Sequence, residues 1–146
     1  MRTRTAMAPM TRCFADDQKG VVGSDVVEYY RKRAADGIGL IITEGTVISP
    51  QGKGNPGIPG LYSLEQIAAW KKVTEAVHAE GGTIIAQIWH VGRLTHHELT
   101  GGLSPQAPSA MLQTLFFLKN HLLSGLSRGV KFIMKYPMIR IKMTSE

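Results

Sequence analysis

The chain has 146 residues, enough for one domain with a real core, and its 43% hydrophobic and 19% charged fractions are those of an ordinary globular protein. A lone cysteine, Cys13, excludes an internal disulfide and a thiolate metal cluster, and it suits a reducing, cytoplasmic compartment. The formal charge of +6 does not mark a polyanion-binding domain: residues 1–110 hold 11 Lys and Arg against 10 Asp and Glu, while residues 111–146 hold 6 against 1.

The N-terminus carries Arg2 and Arg4 with no apolar stretch behind them, so it does not read as a secretion signal. No run approaches the roughly 18 uninterrupted apolar residues of a membrane span. The first strand is expected at about Thr5–Met7, halted by Pro9. A loop rich in Asp, Gly and Lys leads to Ser24, a helix N-cap by residue type, with Asp25 and Glu28 placed to suit the helix dipole. That helix is expected to run to about Ala35. Val26, Val27, Tyr30 and Ala34 form its apolar face, and Arg31, Lys32 and Arg33 form a solvated, cationic end.

Gly37 and Gly39 end the helix, and Ile38–Thr43 is a continuous apolar run, the pattern of a strand covered on both faces. A Gly/Pro-rich loop is expected from Gly45 to Leu61. Ser63 and Gln66 then have the spacing of a capping box. The second helix is expected from there to about Glu80, with Ile67, Trp70, Val73 and Val77 on its buried face. Gly81 and Gly82 stop it, and a third strand opens at Thr83. Strand, helix, strand, helix, strand implies a parallel sheet with right-handed crossovers. The loops leaving the strands are long and those entering strands 2 and 3 are short, as in a barrel that builds its site on one face.

After Ala110 the texture changes. Met111–Ser127 has a helical apolar stripe through Leu112, Leu115, Phe116, Leu122, Leu123 and Leu126, and Ile139–Met143 alternates like a strand. Residues 111–146 are therefore taken as a separate, basic tail.

The third strand ends in Gln87, Trp89, His90 and Arg93, and the carboxyl ends of parallel strands are where such proteins build sites. The segments MAPMTR at 7–12 and LIITEGT at 40–46 share its layout, apolar and then polar with Pro or Gly. Together with YYRKRA at 29–34, YSLEQIAAWKK at 62–72, QIWHVGR at 87–93 and PQAPSA at 105–110, these motifs resemble, in order and spacing, the old yellow enzyme family of flavin-dependent ene-reductases. The resemblance covers about residues 5–110. It implies the first three β/α units of a (β/α)8 barrel that holds FMN at its strand ends. In that family NAD(P)H supplies the reducing equivalents and a small molecule, an α,β-unsaturated carbonyl compound, is the substrate.

Carried over residue by residue, the resemblance puts Pro9, Met10 and Thr11 along the flavin ring, with Thr11 hydrogen-bonding near the O4 carbonyl. Gly45 would stand where a small residue lets the ring approach the backbone. Gln87 would bind the pyrimidine edge, and Trp89 would stand beside the substrate pocket. The chemistry agrees: a reduced flavin gathers charge near N1 and its carbonyls, and the Gln amide and Thr hydroxyl are neutral donors suited to it.

The family's substrate-binding His pair, a His with His or Asn three positions on, belongs to strand 4, with a tyrosine proton donor after it. No His-Xaa-Xaa-His or His-Xaa-Xaa-Asn spacing occurs here, so no catalytic residue is assigned and the chain is expected to be catalytically incomplete. His90, His96 and His97 have no carboxylate or thiol at a helical or loop spacing, so no metal site is expected. Gly52-Lys-Gly54 lacks the strand–turn–helix context of a phosphate loop. No nucleic-acid partner is expected. Three strands cannot close a barrel, so the edge of strand 3 is expected to invite self-association. The alternative function from the sequence is a non-catalytic fragment that self-associates or binds anionic surfaces through its basic amphipathic tail.

Overall fold

The computed structural model describes residues 3–108, and both elements expected in the tail lie outside them. Strand β1 (Ala6–Met7), helix α1 (Ser24–Ala35), strand β2 (Leu40–Val47), helix α2 (Leu64–Ala79) and strand β3 (Thr83–Trp89) follow one another. The strands form one parallel sheet in the order β1-β2-β3, with Ala6 beside Leu40 and Leu40 beside Thr83. Short 3-10 turns at Pro50–Gly52 and Gly92–Leu94 shape the loops after β2 and β3. Among the described residues no helix is long and apolar enough to cross a membrane.

The core lies between the sheet and its two helices. Met7 and Ile41 from the strands meet Val26, Tyr30 and Ala34 of α1 and Ala69, Trp70, Val73 and Val77 of α2. Ile41, Val73 and Val77 are wholly buried, and each such side chain stabilises the fold by about 1.5–3 kcal/mol. The periodicity of α1 therefore gave its inner face correctly, but Ser24 does not cap it. Gly23 is the N-cap, no side chain caps the end, and Ser24 is already helical. Glu28 serves its own helix and beyond: it holds Arg31 at 2.7 Å, and Arg31 reaches Glu80 at the end of α2 at 2.6 Å. The expected solvated cationic end is in this respect a tie between the two helices.

In α2 the capping box forms as its spacing predicts. Gln66 does more than cap. It is 1% exposed, its Oε1 accepts the N–H groups of Tyr62 and Ser63, and its Nε2 donates to the Lys19 carbonyl at 2.7 Å. The buried stripe consequently runs through Gln66, Ala69, Trp70, Val73 and Val77, and Ile67 lies outside it at 48% exposure. An amide that satisfies three backbone groups at once has displaced an isoleucine from the interior.

Strand β2 also runs further than its apolar residues suggest, continuing through Glu44, Gly45 and Thr46 to Val47. It is the central strand and is largely buried. Strand β3 is the edge strand of the described sheet and is largely exposed: Ile85 is 48% and Ile88 55% exposed. By strand alternation these two side chains point to opposite faces.

Gln66→Leu is expected to destabilise the chain by about 3 kcal/mol, because it orphans three backbone groups, and Ser63→Ala by about 1 kcal/mol. Urea unfolding of the two variants should rank them in that order; equal losses would contradict the role given to the Gln66 amide.

Candidate functional site

The polar cluster at the C-terminal ends of the strands is built on one irregularity. Between Ile42 and Gly45 the register against β3 shifts: Ile42 faces Ile85, but Gly45 faces Gln87. One extra residue in β2 makes a bulge, which bends the strand and re-aims side chains. Thr43 repairs the interrupted ladder, its hydroxyl accepting the Gln87 N–H at 3.0 Å while it donates to the Glu44 carbonyl at 2.8 Å.

The bulge gives Glu44 its place. Its carboxylate is 1% exposed, and Oε2 accepts two successive backbone N–H groups, Arg12 at 3.0 Å and Cys13 at 3.1 Å. The two N–H groups converge on one oxygen as in a concave backbone nest, a turn that carries a left-handed residue. Cys13 supplies it with φ 57°, the one positive value outside glycine among the described residues. Gly57, itself at φ 69°, lets the Cys13 carbonyl approach, since a Cβ there would stand 2.3 Å from that oxygen. Burial, then the charge of Glu44, raises the Cys13 thiol's pKa, so the nest does not make it a reactive thiolate.

Tyr30 of α1 completes the arrangement. Its hydroxyl accepts the Glu44 N–H at 2.9 Å, and burial pushes its pKa up to about 12. Arg12 lies over the ring of Tyr29, 5.6 Å from its centroid, and Arg33 lies over the same ring at 3.4 Å. The loop leaving β1 is thereby fixed to β2 by its backbone and to α1 by its side chain.

Three of the residues singled out from the sequence meet here. Gly45 and Gln87 are direct neighbours across the β2–β3 pair, and the Gly45 N–H points to the Thr11 hydroxyl at a long 3.5 Å. Thr11 and Gln87 are exposed, as is Met10 at 45%, while Pro9 is half-buried. Trp89 is half-buried. Its indole packs on Gly45, where a Cβ would stand 2.1 Å from the ring, so the missing side chain at 45 makes room for Trp89. The donors offered are a hydroxyl and an amide, a set that fits the carbonyl and nitrogen edge of a neutral heteroaromatic ring.

Glu44, Tyr30 and Thr43 were not singled out as site residues, although a carboxylate inside an apolar strand was a signal, because a buried charge needs partners. The loop after β3 brings Glu98 beside the consecutive His96 and His97, with one ligand-type atom of each within 4.8 Å of the others. His90 lies apart from them and accepts the Gly92 N–H on Nδ1 at 3.0 Å. Lys53, between Gly52 and Gly54, is committed to Asp17 at 3.1 Å.

A parallel β/α layer with polar groups gathered at its strand ends has the arrangement of the opening part of a (β/α)8 barrel. The model of the NADH:flavin oxidoreductase / NADH oxidase family matches residues 1–128, and the chain belongs to that family. The match runs past the boundary near 110 that the motifs suggested. Among curated relatives, 12-oxophytodienoate reductase 7 of Oryza sativa subsp. japonica is 55% identical over 93 residues, which is 64% of this chain and 23% of the relative. Flavin oxidoreductase hxnT of Emericella nidulans is 46% identical over 112 residues, 75% of this chain and 29% of the relative. Morphinone reductase in complex with tetrahydroNAD superposes with a TM-score of 0.69 at 46% identity, covering 76% of this chain and 30% of its own. The old yellow enzyme homologue from Zymomonas mobilis gives 0.68 at 45% identity, over 74% and 29%. The chain thus spans about a quarter of the length of the relatives it matches, and its fold is the first part of their barrel.

Glu44→Leu is expected to cost about 3 kcal/mol by orphaning the Arg12 and Cys13 amides. Cys13→Gly is expected to gain up to about 1 kcal/mol by relieving the left-handed backbone. Thermal melts of the two variants should shift in opposite directions, and a destabilised Cys13→Gly would contradict the strain.

Proposed function

We propose that these residues form one wall of an FMN site in an oxidoreductase that reduces activated alkenes, α,β-unsaturated carbonyl compounds, with NAD(P)H. The observation that carries this reading is the meeting of Thr11, Gly45 and Gln87 at the bulged strand ends. FMN, when bound, supplies hydride transfer from the nicotinamide to the alkene. Thr11 and Gln87 would hold the ring's polar edge as uncharged donors, and Pro9 and Met10 would lie along its face. Trp89 would border the substrate side. Glu44 positions the 9–13 loop that presents three of them.

The reading extends to what the chain does alone. The 146 residues contain no His pair of the family's spacing, and residues 3–108 offer one side of a ring pocket. We place the polypeptide in the cytoplasm, where the exposed Cys13 thiol stays reduced, and we take residues 111–146 as a separate basic tail. By itself it is a catalytically incomplete form with weak flavin affinity. In an NMR titration with millimolar FMN, amide shifts are expected at Thr11, Gly45 and Gln87. Shifts confined to other segments would refute the site, and saturable fluorescence quenching at micromolar FMN would refute the incompleteness.

The edge of β3 supports self-association, since Ile85 and Ile88 are exposed on a strand with one neighbour among the described residues. Sedimentation equilibrium should give an average mass above 16.0 kDa that rises with concentration, and Ile85→Lys should lower it. A monomer at every concentration would rule the edge out as a contact.

A further inference from the structure

The loop after β3 has a built geometry that the flavin reading does not use. We infer that His96, His97 and Glu98 form a binding site for a divalent transition-metal ion of the zinc type. Each offers one ligand atom, and the three atoms lie within 4.8 Å of one another. His96 Nδ1 is 3.6 Å from the nearer Glu98 oxygen. Two ligands on a tetrahedral ion, with bonds of roughly 2.0–2.1 Å, sit about 3.4 Å apart, so this pair is already near ligation distance. The two imidazole rings are 4.0 Å apart between centroids, side by side on consecutive residues.

Consecutive side chains converge in this way only if the turn beneath them is held. Thr95 is wholly buried and its hydroxyl donates to the Lys53 carbonyl. The His96 carbonyl accepts the Leu99 N–H at 2.9 Å, and the His97 carbonyl accepts the Gly102 N–H at 2.7 Å. Thr100, 4% exposed, has its hydroxyl 2.6 Å from the Leu103 carbonyl and 3.2 Å from that of His97. The backbone under both histidines is therefore tied before any ion arrives, which lowers the ordering cost of binding.

Two imidazoles and one carboxylate suit zinc, cobalt, nickel or copper over magnesium or calcium. Three protein ligands leave the fourth position of a tetrahedral ion to water. The Glu98 N–H to His96 Nδ1 contact, 3.4 Å long, is weak enough for an ion to replace it. A plain His96–Glu98 ion pair is the competing account, and it needs no second histidine.

The experiment uses the untagged full chain, needs no flavin, and titrates zinc chloride by calorimetry and cobalt chloride by visible absorption. One equivalent should bind, cobalt should show the intense bands of a four-coordinate ion, and zinc should raise the melting temperature. His97→Ala and Glu98→Gln, both at exposed positions, should each weaken binding by about tenfold or more, and His78→Ala should leave it unchanged. Absence of binding by chain that circular dichroism shows to be folded would overturn the site. So would binding that survives both substitutions.

Discussion

One buried carboxylate organises the strand ends. Glu44 can be 1% exposed only because two successive amides of the β1 loop converge on its oxygen. A buried carboxylate without such donors would cost more than the packing around it returns. The requirement runs in both directions. The loop adopts a left-handed residue at Cys13 beside these amides, and β2 bulges where the carboxylate leaves it. Tyr30 then ties the same residue to α1, so sheet, loop and helix share one polar centre inside an apolar layer.

That centre explains why the candidate flavin contacts stand where they do. Thr11 precedes the two amides held by Glu44, and Gly45 follows Glu44, so their separation is fixed by the nest. Gln87 is set by the register that the bulge creates. A site whose supports lie in the interior can keep its exposed groups in place without further contacts. The chain belongs to a family of flavin oxidoreductases, and it carries about the first quarter of its relatives' length.

Much of this was legible in the sequence where a residue's role is local. The helix faces, the capping box and the strand-helix alternation follow from spacing alone, because 3.6 and 2 residue periods are properties of the backbone. The errors fell where one side chain served distant partners. Gln66 took an inward place that hydrophobicity assigned to Ile67, because it answers to Tyr62, Ser63 and Lys19 together.

The sequence by itself determined the elements, their order, the parallel sheet they imply and the family the motifs resemble. Only the tertiary structure decided that Glu44 is the hub, that Gly45 makes room for Trp89, and that β2 slips by one residue beside Gln87. The reason is physical. Periodicity encodes which face of an element is apolar, whereas the partner of a buried polar group is chosen by what the folded chain brings within hydrogen-bond reach.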